Sequence, residues 1–224
     1  MINPERMRTI ANWSRQLSET EFERARAAIR ERAYSQGAII CEEGRKFDHW
    51  IGIVEGLVKL RSLSEDGKDV SLSGIHAGGW FGEGSILKNE KRRYDVVALR
   101  DTTVALLDRE TFLWLFETST SFSRFLVGQF NERLCFFIGL VENDRMLDPT
   151  ARIARALASM MNPVLFPDAG RHLMFIQEEI GLLVGVSRPI ANQALKKLER
   201  DGILRWEYGG VTVLKLEELQ AYEG

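Results

Sequence analysis

The alternation of apolar and polar positions between Tyr34 and Asp108 differs from that of the rest of the chain. Short apolar runs such as GAIICEEG, HWIGIVEGLVKLRSL and YDVVAL follow one another here, and no fixed repeat relates them. Runs of this length with turn residues between them predict antiparallel strands packed as a sandwich or barrel. The predicted turns lie at Gly44, at Glu65-Asp66-Gly67 and at Gly78-Gly79.

The residues before these strands predict one helix and one short extension. Ser18 and Glu21 have the spacing of a capping box, in which each side chain bonds the other's backbone N–H. The helix that follows is predicted to reach about Arg32. Residues 1–17 are predicted to be an extension.

A long apolar helix is predicted after the strands. Asp108 is placed to cap a short helix, RETFLWLFE, and the long helix then runs from about Phe122 to Asn143. Its apolar residues recur at steps of three and four, at Leu126, Phe130, Leu134, Phe137 and Val141. So apolar a helix needs cover on several sides, from its own β-domain and from a second copy of the chain. The alternative is a helix buried within one subunit.

The C-terminal third predicts two short helices with a tight break between them. Asp148-Pro149 caps a first helix, TARIARALASMM, and a loop with a short strand, NPVLFPDAGRHLMF, follows it. Residues 177–184 then form a helix that ends at Gly185, which can adopt the left-handed backbone conformation. The next helix begins after Ser187, a good N-cap, and ends near Asp201, with Gly202 as its stop.

The second of these helices has an apolar stripe and a polar face. Ala191, Ala194, Leu195 and Leu198 share the stripe, and the polar face carries side chains that suit the major groove of DNA. Arg pairs with guanine edges, Asn and Gln pair with adenine, and Lys meets phosphates. The predicted DNA-binding residues are Ser187, Arg188, Pro189, Asn192, Gln193, Lys196 and Lys197. The alternative is an ordinary solvated amphipathic helix.

The segment ILRWEYGGVTVL completes this unit. Two apolar alternating runs flank Gly209-Gly210, which predicts a β-hairpin. A helix, a turn, a second helix and a hairpin together make a winged helix-turn-helix.

The sequences EEIGLLVGVSR and ALKKLERDGIL resemble the helix-turn-helix of the CRP/FNR family of bacterial transcription regulators. The resemblance implies an α+β fold with an N-terminal jelly-roll (a double-stranded β-helix), a long dimerisation helix and a C-terminal winged helix-turn-helix. It implies a homodimeric, sequence-specific regulator that binds a palindromic double-stranded DNA operator and has RNA polymerase as a partner. The expected divisions are 1–17 for the extension, 18–118 for the cyclic-nucleotide-binding-like β-roll, 119–147 for the dimerisation helix and 148–224 for the DNA-binding domain.

The resemblance also implies an effector site at the junction of the β-roll and the long helix. Phe81-Gly82-Glu83 matches the family's nucleotide-binding cassette, in which Glu binds the ribose hydroxyl and an Arg binds the phosphate. Either Arg92 or Arg93 takes the position of that Arg, according to the alignment chosen. The predicted effector residues are Gly82, Glu83, Gly84, Ser85, Arg92, Arg93, Tyr94 and Phe137.

Two departures from the family's pattern argue against cyclic AMP as the signal. Tyr94 or Arg93 stands where the family has a small hydroxyl, and Phe137-Ile138 stands where cyclic-AMP-responsive members present Thr-Ser to the base. Each missing buried hydrogen bond costs about 1–3 kcal/mol. A cyclic nucleotide, another small anionic effector and no ligand therefore remain open as alternatives. On the DNA face Pro189 and Gln193 also depart from the family, so its operator is not carried over.

Composition excludes several other classes of protein. The formal net charge is -2, so contact with nucleic acid must depend on a local patch. Cys41 and Cys135 lie far apart, and three scattered histidines predict neither a metal site nor a catalytic group. No apolar run could span a bilayer and no signal-peptide core is present, so a cytoplasmic, non-enzymatic protein is expected. The alternatives are a nucleotide-sensing module that acts on a protein partner and a metal-dependent jelly-roll enzyme.

Overall fold

The computed structural model describes residues 2–63, 69–167, 169–207 and 209–224. The predicted turn at Glu65-Asp66-Gly67 lies outside these residues. The predicted α+β class is confirmed, with a β-roll, one long helix and a winged helix-turn-helix in that order along the chain.

The β-roll is built from two antiparallel sheets with a shared core. The first sheet has the order β1-β8-β3-β6 and the second β2-β7-β4-β5. Apolar side chains from both sheets, among them Ile53, Leu57 and Val96, are at most 1% exposed and form one cluster. The strands are β1 (Arg30–Tyr34), β2 (Ile39–Cys41), β3 (His49–Glu55), β4 (Leu57–Leu63), β5 (Asp69–His76), β6 (Trp80–Phe81), β7 (Asp95–Ala98) and β8 (Thr102–Asp108).

The predicted run HWIGIVEGLVKLRSL is divided into two strands at Gly56. This residue has φ +99°, a conformation that side-chain-bearing residues rarely adopt, and a Cβ there would lie 2.7 Å from the Asp101 carbonyl oxygen. The chain therefore passes from one sheet to the other at a position that only glycine fits without strain.

The N-terminal helices pack against β3 and β8 of the first sheet. They are α1 (Pro4–Ile10), a 3-10 helix (Asn12–Gln16) and α2 (Glu19–Ala28). The predicted capping box is confirmed, since the Ser18 amide donates to Glu21 Oε2 at 2.7 Å and the Glu21 amide donates to Ser18 Oγ at 3.4 Å. The helix ends at Ala28 and not near Arg32, because residues 30–34 form β1 and pair with β8.

The described part of the predicted extension is folded, and several of its apolar side chains are buried. Trp13 is 1% exposed, and its ring centroid lies 5.2 Å from that of Trp50 and 5.3 Å from those of Trp80 and Phe122. These residues join the N-terminus, the β-roll and the long helix in one aromatic cluster.

Three helices follow in the region between β6 and the C-terminal part. They are α3 (Glu83–Lys88), α4 (Arg109–Thr118) and α5 (Thr120–Met146). The predicted cap of α4 is confirmed, because Asp108 Oδ1 accepts from the Thr111 amide at 2.8 Å. The long helix α5 has 27 residues and extends beyond both predicted ends.

The C-terminal part forms a compact unit around α6. The Asp148 cap is confirmed, since its Oδ1 accepts from the Ala151 amide at 2.8 Å. The predicted hairpin is also confirmed, and β9 extends it to a three-stranded sheet with the order β10-β11-β9. The elements are α6 (Pro149–Ser159), β9 (His172–Leu173), α7 (Gln177–Val184), α8 (Arg188–Arg200), β10 (Leu204–Glu207), β11 (Gly210–Val213) and α9 (Leu216–Ala221).

The C-terminal unit rests against the edge strand β5 of the roll. The side chain of Leu183 on α7 lies so close to Gly74 that a Cβ at Gly74 would be 2.5 Å from it. Arg100 of the roll forms an ion pair with Glu179 of α7, and its Nε donates to Glu179 Oε1 at 3.0 Å. Glu179 has a side chain only 7% exposed, so Arg100 compensates a buried charge at this contact.

Candidate DNA-binding and effector sites

The turn between α7 and α8 is held by two glycines. Gly185 ends α7 with φ +71°, and its amide donates to the Gly181 carbonyl oxygen. At Gly181 a Cβ would lie 2.8 Å from the carbonyl oxygen of Val186, so the chain after the turn passes close against α7. This close approach holds the two helices in a defined relative orientation.

Ser187 occupies the N-cap position of α8, as the sequence predicts. Its backbone is extended and its carbonyl oxygen accepts from the Ala191 amide at 2.9 Å. The side chain differs from expectation, because it makes no capping hydrogen bond. Pro189 in the first turn, where a missing N–H costs little, helps to start the helix.

The two predicted faces of α8 are present. Ala191, Ala194, Leu195 and Leu198 are at most 2% exposed, and α8 packs on α6 and α7 through them. The exposed side carries a row of polar and cationic side chains with Pro189 near its N-terminal end. The exposed residues of the predicted DNA-binding set are Ser187, Arg188, Pro189, Gln193 and Lys196.

Two members of the predicted set are only half exposed and contact other parts of the domain. Asn192 Oδ1 accepts from Gln177 Nε2 at 3.1 Å, which ties it to the first turn of α7. The Lys197 ammonium lies 5.7 Å from the ring centroid of Tyr222.

Ile190, on the exposed side of α8, was not among the predicted DNA-binding residues. Its side chain is 39% exposed and follows Pro189 directly. The signal was present in the sequence, since Ile190 is apolar and lies outside the stripe. An exposed apolar side chain on such a helix can contact the methyl group of thymine.

Most of the predicted effector residues line one cavity of about 340 Å³ between α3, the loop before β7 and α5. We call it the polar cavity. Arg92 is absent from its lining, whereas Lys88, Arg133 and Phe130 belong to it. The predicted residues that line it are Gly82, Glu83, Gly84, Ser85, Arg93, Tyr94 and Phe137.

Arg92 has a structural position behind the cavity wall. It is 2% exposed, and its guanidinium donates to the carbonyl oxygens of Gly82 at 3.1 Å and His49 at 2.9 Å. A Cβ at Gly82 would lie 2.3 Å from Arg92 Nη1, so the guanidinium fills the space against this glycine. Of the two arginines that the alignments left open, Arg93 is the one that lines the cavity, and its exposed side chain pairs with Glu90 at 3.0 Å.

Glu83 is tied to the long helix. It is 5% exposed, forms an ion pair with Arg133, and accepts from Trp50 Nε1 at 3.2 Å. Arg133 also donates to the Trp80 carbonyl oxygen at 2.7 Å. Arg133 was not among the predicted effector residues, although an Arg on the inner side of an apolar helix is the signal that could have identified it.

A smaller cavity adjoins the polar cavity and shares Tyr94, Arg133 and Phe137 with it. We call it the apolar cavity, and its volume is about 90 Å³. Burial raises the pKa of the Tyr94 hydroxyl, and the carboxylate of Glu83 raises it further. This hydroxyl therefore remains a hydrogen-bond donor at neutral pH.

The predicted apolar stripe of α5 divides between two faces. Leu126 is 1% exposed and packs inward, while Phe130 and Phe137 are each 37% exposed beside the polar cavity. Four large apolar side chains between residues 127 and 141 are more exposed than these, and one of them, Leu134, also lines the polar cavity. This group, which we call the α5 row, consists of Val127, Leu134, Ile138 and Val141, exposed by 65%, 61%, 57% and 52%.

No helix in the described ranges is long and apolar enough to cross a membrane. Within those same residues, no three His, Cys, Asp or Glu side chains are grouped so that they could hold a metal ion.

Two domain families match this chain, and together they span most of it. Residues 31–119 match the cyclic nucleotide-binding domain, and residues 151–222 match the Crp-like helix-turn-helix domain. The first range contains the polar cavity's roll residues, and the second contains α6 to α9.

Curated relatives match over about three quarters of the chain. The cAMP-activated global transcriptional regulator CRP of Salmonella typhimurium is 29% identical over 175 residues, which cover 76% of this chain and 83% of that protein. The cAMP-activated global transcriptional regulator Vfr of Pseudomonas aeruginosa is 27% identical, with coverage of 77% and 84%.

Solved structures of the same architecture match almost end to end. The catabolite activator protein of Thermus thermophilus is 25% identical with a TM-score of 0.51, and the match covers 96% of this chain and 100% of that one. CLP of Xanthomonas campestris, described as a c-di-GMP-responsive global regulator, is 25% identical with a TM-score of 0.60 and coverage of 88% and 99%. FixK2 of Bradyrhizobium japonicum has a TM-score of 0.71 at 19% identity, with coverage of 88% and 98%, and shows the fold alone.

Proposed function

Because the chain belongs to the CRP/FNR family of transcription regulators, we propose that it acts as a homodimer on a palindromic DNA operator. The observation that carries this proposal is the exposed face of α8, which we call the reader helix. Its apolar stripe is buried, while Arg188, Gln193 and Lys196 project from the other side. A helix with this division fits the major groove with its polar side against the bases.

Each exposed side chain of the reader helix has a role that follows from its chemistry. Arg188, at the N-terminal end, pairs with a guanine edge, and Gln193 pairs with adenine. Pro189 and Ile190 lie between these two residues and form a small apolar surface that suits a thymine methyl group. Lys196 lies two turns along and neutralises a phosphate, which adds affinity without sequence preference.

The α5 row supports the homodimer. Val127, Leu134 and Val141 recur every seven residues, and Ile138 lies four residues after Leu134. This is the spacing of a coiled-coil seam, in which each apolar side chain packs against the partner helix. A twofold pair of long helices would place two reader helices on one face of the dimer, about 34–36 Å apart for adjacent half-sites.

We further propose that a small effector in the polar cavity controls DNA binding. The cavity lies between the roll and α5, and the pair of Glu83 and Arg133 crosses it from one to the other. An occupant that changes this pair shifts the long helices, and the spacing of the reader helices changes with them. RNA polymerase is the proposed protein partner, because a regulator bound near a promoter acts on transcription through it.

The test of this function uses the DNA upstream of the protein's own gene. A mobility-shift titration and a footprint on this DNA should show protection of two half-sites about one helical turn apart. The control is a random duplex of equal length at the same salt concentration. Equal affinity for both duplexes over a range of salt would contradict sequence-specific binding, because only the phosphate contacts would remain.

A further inference from the structure

The apolar cavity lies where three parts of the chain meet. Ile75 and Phe81 belong to the β-roll, Phe136 and Phe137 to α5, and Phe166 to the C-terminal unit. These side chains give the cavity mostly aliphatic and aromatic walls, with Ser73 as a polar member of the lining. Such a space favours an apolar group and disfavours one that must keep hydrogen bonds to water.

The apolar cavity continues into the polar cavity. Tyr94, Arg133 and Phe137 line both of them, so they stand at the passage between the two. The two spaces together form one elongated site with a polar mouth and an apolar end. A ligand that fills both must be polar at one end only.

The mouth has an excess of positive charge. Of the ionisable side chains described there, Lys88, Arg93 and Arg133 are cationic and Glu83 and Glu90 are acidic, which leaves a net charge of +1. Glu83 is paired with Arg133, and Glu90 with Arg93 at 3.0 Å. Each carboxylate is therefore offset by its own arginine, and Lys88 adds the charge that an anion would balance.

The volume of the apolar end limits what can enter it. An apolar cavity of about 150 Å³ is known to accept benzene. The apolar cavity here has about 90 Å³, which leaves room for a short alkyl chain and is less than the volume known to accept benzene. A nucleobase is larger still, and it would lose its hydrogen bonds to water against Phe136 and Phe137.

We propose that this two-part site binds a short-chain aliphatic carboxylate, with its carboxylate at Lys88 and Arg93 and its alkyl chain in the apolar cavity. The inference rests on the proposed function, since it names the chemical class of the effector for the same site. The proposed effector is an anion smaller than a cyclic nucleotide.

The site also explains how occupancy reaches the DNA-binding part within one subunit. Leu165 and Phe166 form part of the apolar wall and belong to the loop after α6. The Phe166 ring stacks on His76 with centroids 4.1 Å apart, and a Cβ at Gly79 would lie 2.9 Å from Phe166 Cε1. An alkyl chain that fills the cavity therefore presses on a loop that holds the C-terminal unit against the roll.

Calorimetric titration of the full chain with a series of straight-chain carboxylates tests this inference. The probes are acetate, butanoate, hexanoate and decanoate, with hexan-1-ol as the uncharged match and cyclic AMP as the competing effector. Affinity should rise about threefold to fourfold per added methylene until the cavity is full. Hexan-1-ol should bind about tenfold more weakly than hexanoate. Affinity independent of chain length, equal binding of hexan-1-ol, or tighter binding of cyclic AMP than of any carboxylate would overturn the inference.

Two variants separate the two ends of the site. Arg93→Gln should weaken hexanoate about threefold and leave hexan-1-ol unchanged, since the removed charge is exposed to solvent. Arg45→Gln, which removes another exposed arginine outside the cavity lining, is the matched control and should change neither. Leu165→Ala enlarges the apolar end, so the chain length of tightest binding should increase. Equal effects of Arg93→Gln and Arg45→Gln, or an unchanged length optimum in Leu165→Ala, would count against the proposed placement.

A separate measurement keeps this inference distinct from the proposed function. Fluorescence anisotropy with operator DNA and no ligand reports on DNA binding alone. With hexanoate present, the dissociation constant for DNA should change in the wild type and stay constant in Phe166→Ala, which lacks the ring that transmits the pressure. Sequence-specific DNA binding that hexanoate does not alter would overturn the effector class and leave the regulator intact.

Discussion

Arg133 of the long helix and Glu83 of the β-roll form an ion pair across the polar cavity. Glu83 also accepts from Trp50 Nε1 at 3.2 Å, and Arg133 donates to the Trp80 carbonyl oxygen at 2.7 Å. Both side chains are therefore held on the roll side by tryptophan residues of the aromatic cluster. The position of α5 is coupled to the residues that would touch an effector.

Arg133→Ala should destabilise the protein by about 1–3 kcal/mol, because it leaves the buried carboxylate of Glu83 without its cation. Urea unfolding followed by tryptophan fluorescence measures this loss. Arg93→Ala removes an exposed pair at the same cavity and should cost less than about 1 kcal/mol. Equal losses in the two variants would show that the ion pair of Glu83 with Arg133 contributes no more to stability than the exposed pair of Arg93 with Glu90.

Leu134→Asp should convert the protein from a dimer to a monomer, because it places a charge at the centre of the α5 row. Light scattering coupled to size-exclusion chromatography gives the mass directly. Phe116→Asp is the matched control, since Phe116 is also an exposed apolar residue but lies on α4. The seam is assigned wrongly if Leu134→Asp keeps the mass of the wild type.

Arg188→Ala and Lys196→Ala should have different effects on DNA binding. Loss of the guanine contact should cost about 1–3 kcal/mol on the operator and relax the preference at one base pair. Lys196→Ala should weaken operator and random duplex by similar factors and lower the slope of affinity against salt by about 1. Fluorescence anisotropy on both duplexes at several salt concentrations distinguishes the two. If Arg188→Ala weakens both duplexes equally, it does not read a base.

His76 should make stability depend on pH. Burial lowers the pKa of its imidazole, and its Nε2 donates to the Met160 carbonyl oxygen at 2.8 Å. As the pH falls, the imidazole is protonated in the unfolded chain before it is protonated in the folded one, at a pH near the usual histidine pKa of about 6.5. The contribution of neutral His76 to the free energy of unfolding should therefore be fully present above that pH. It should decrease as the pH falls towards the lowered pKa of the folded state.

The measurement for His76 is urea unfolding at a series of pH values. Between about pH 7 and pH 5.5 the wild type should lose about 1 kcal/mol more than His76→Gln, since one pKa unit corresponds to about 1.4 kcal/mol. A pH profile that His76→Gln leaves unchanged would rule out this histidine as its origin.

The sequence predicted those elements whose ends depend on local chemistry. The end of α7 follows from Gly185, and the starts of α2, α4 and α6 follow from the side chains of Ser18, Asp108 and Asp148. Each of these signals acts within four residues, so it can be recognised without knowledge of the tertiary structure. The winged helix-turn-helix was predictable for the same reason.

The structure differs from the predictions where contacts between residues distant in the sequence determine the local conformation. Residues 30–34 form β1 because β8 pairs with them, and Trp13 is buried because Trp50 and Trp80 lie beside it. Spacing in the sequence also could not decide between Arg92 and Arg93, since the position of Arg92 depends on carbonyl groups of β3 and of Gly82. The roles of the individual site residues stay predictions, as do the domain boundaries at residues 17, 118 and 147.

The stoichiometry of the complex with operator DNA tests the central claim most directly. Native mass spectrometry of the protein with one palindromic duplex, and with a duplex that keeps a single half-site, measures it. The account predicts two chains on the palindrome, with markedly weaker binding to the single half-site. One chain per palindrome, with equal affinity for both duplexes, would contradict the twofold pair of reader helices.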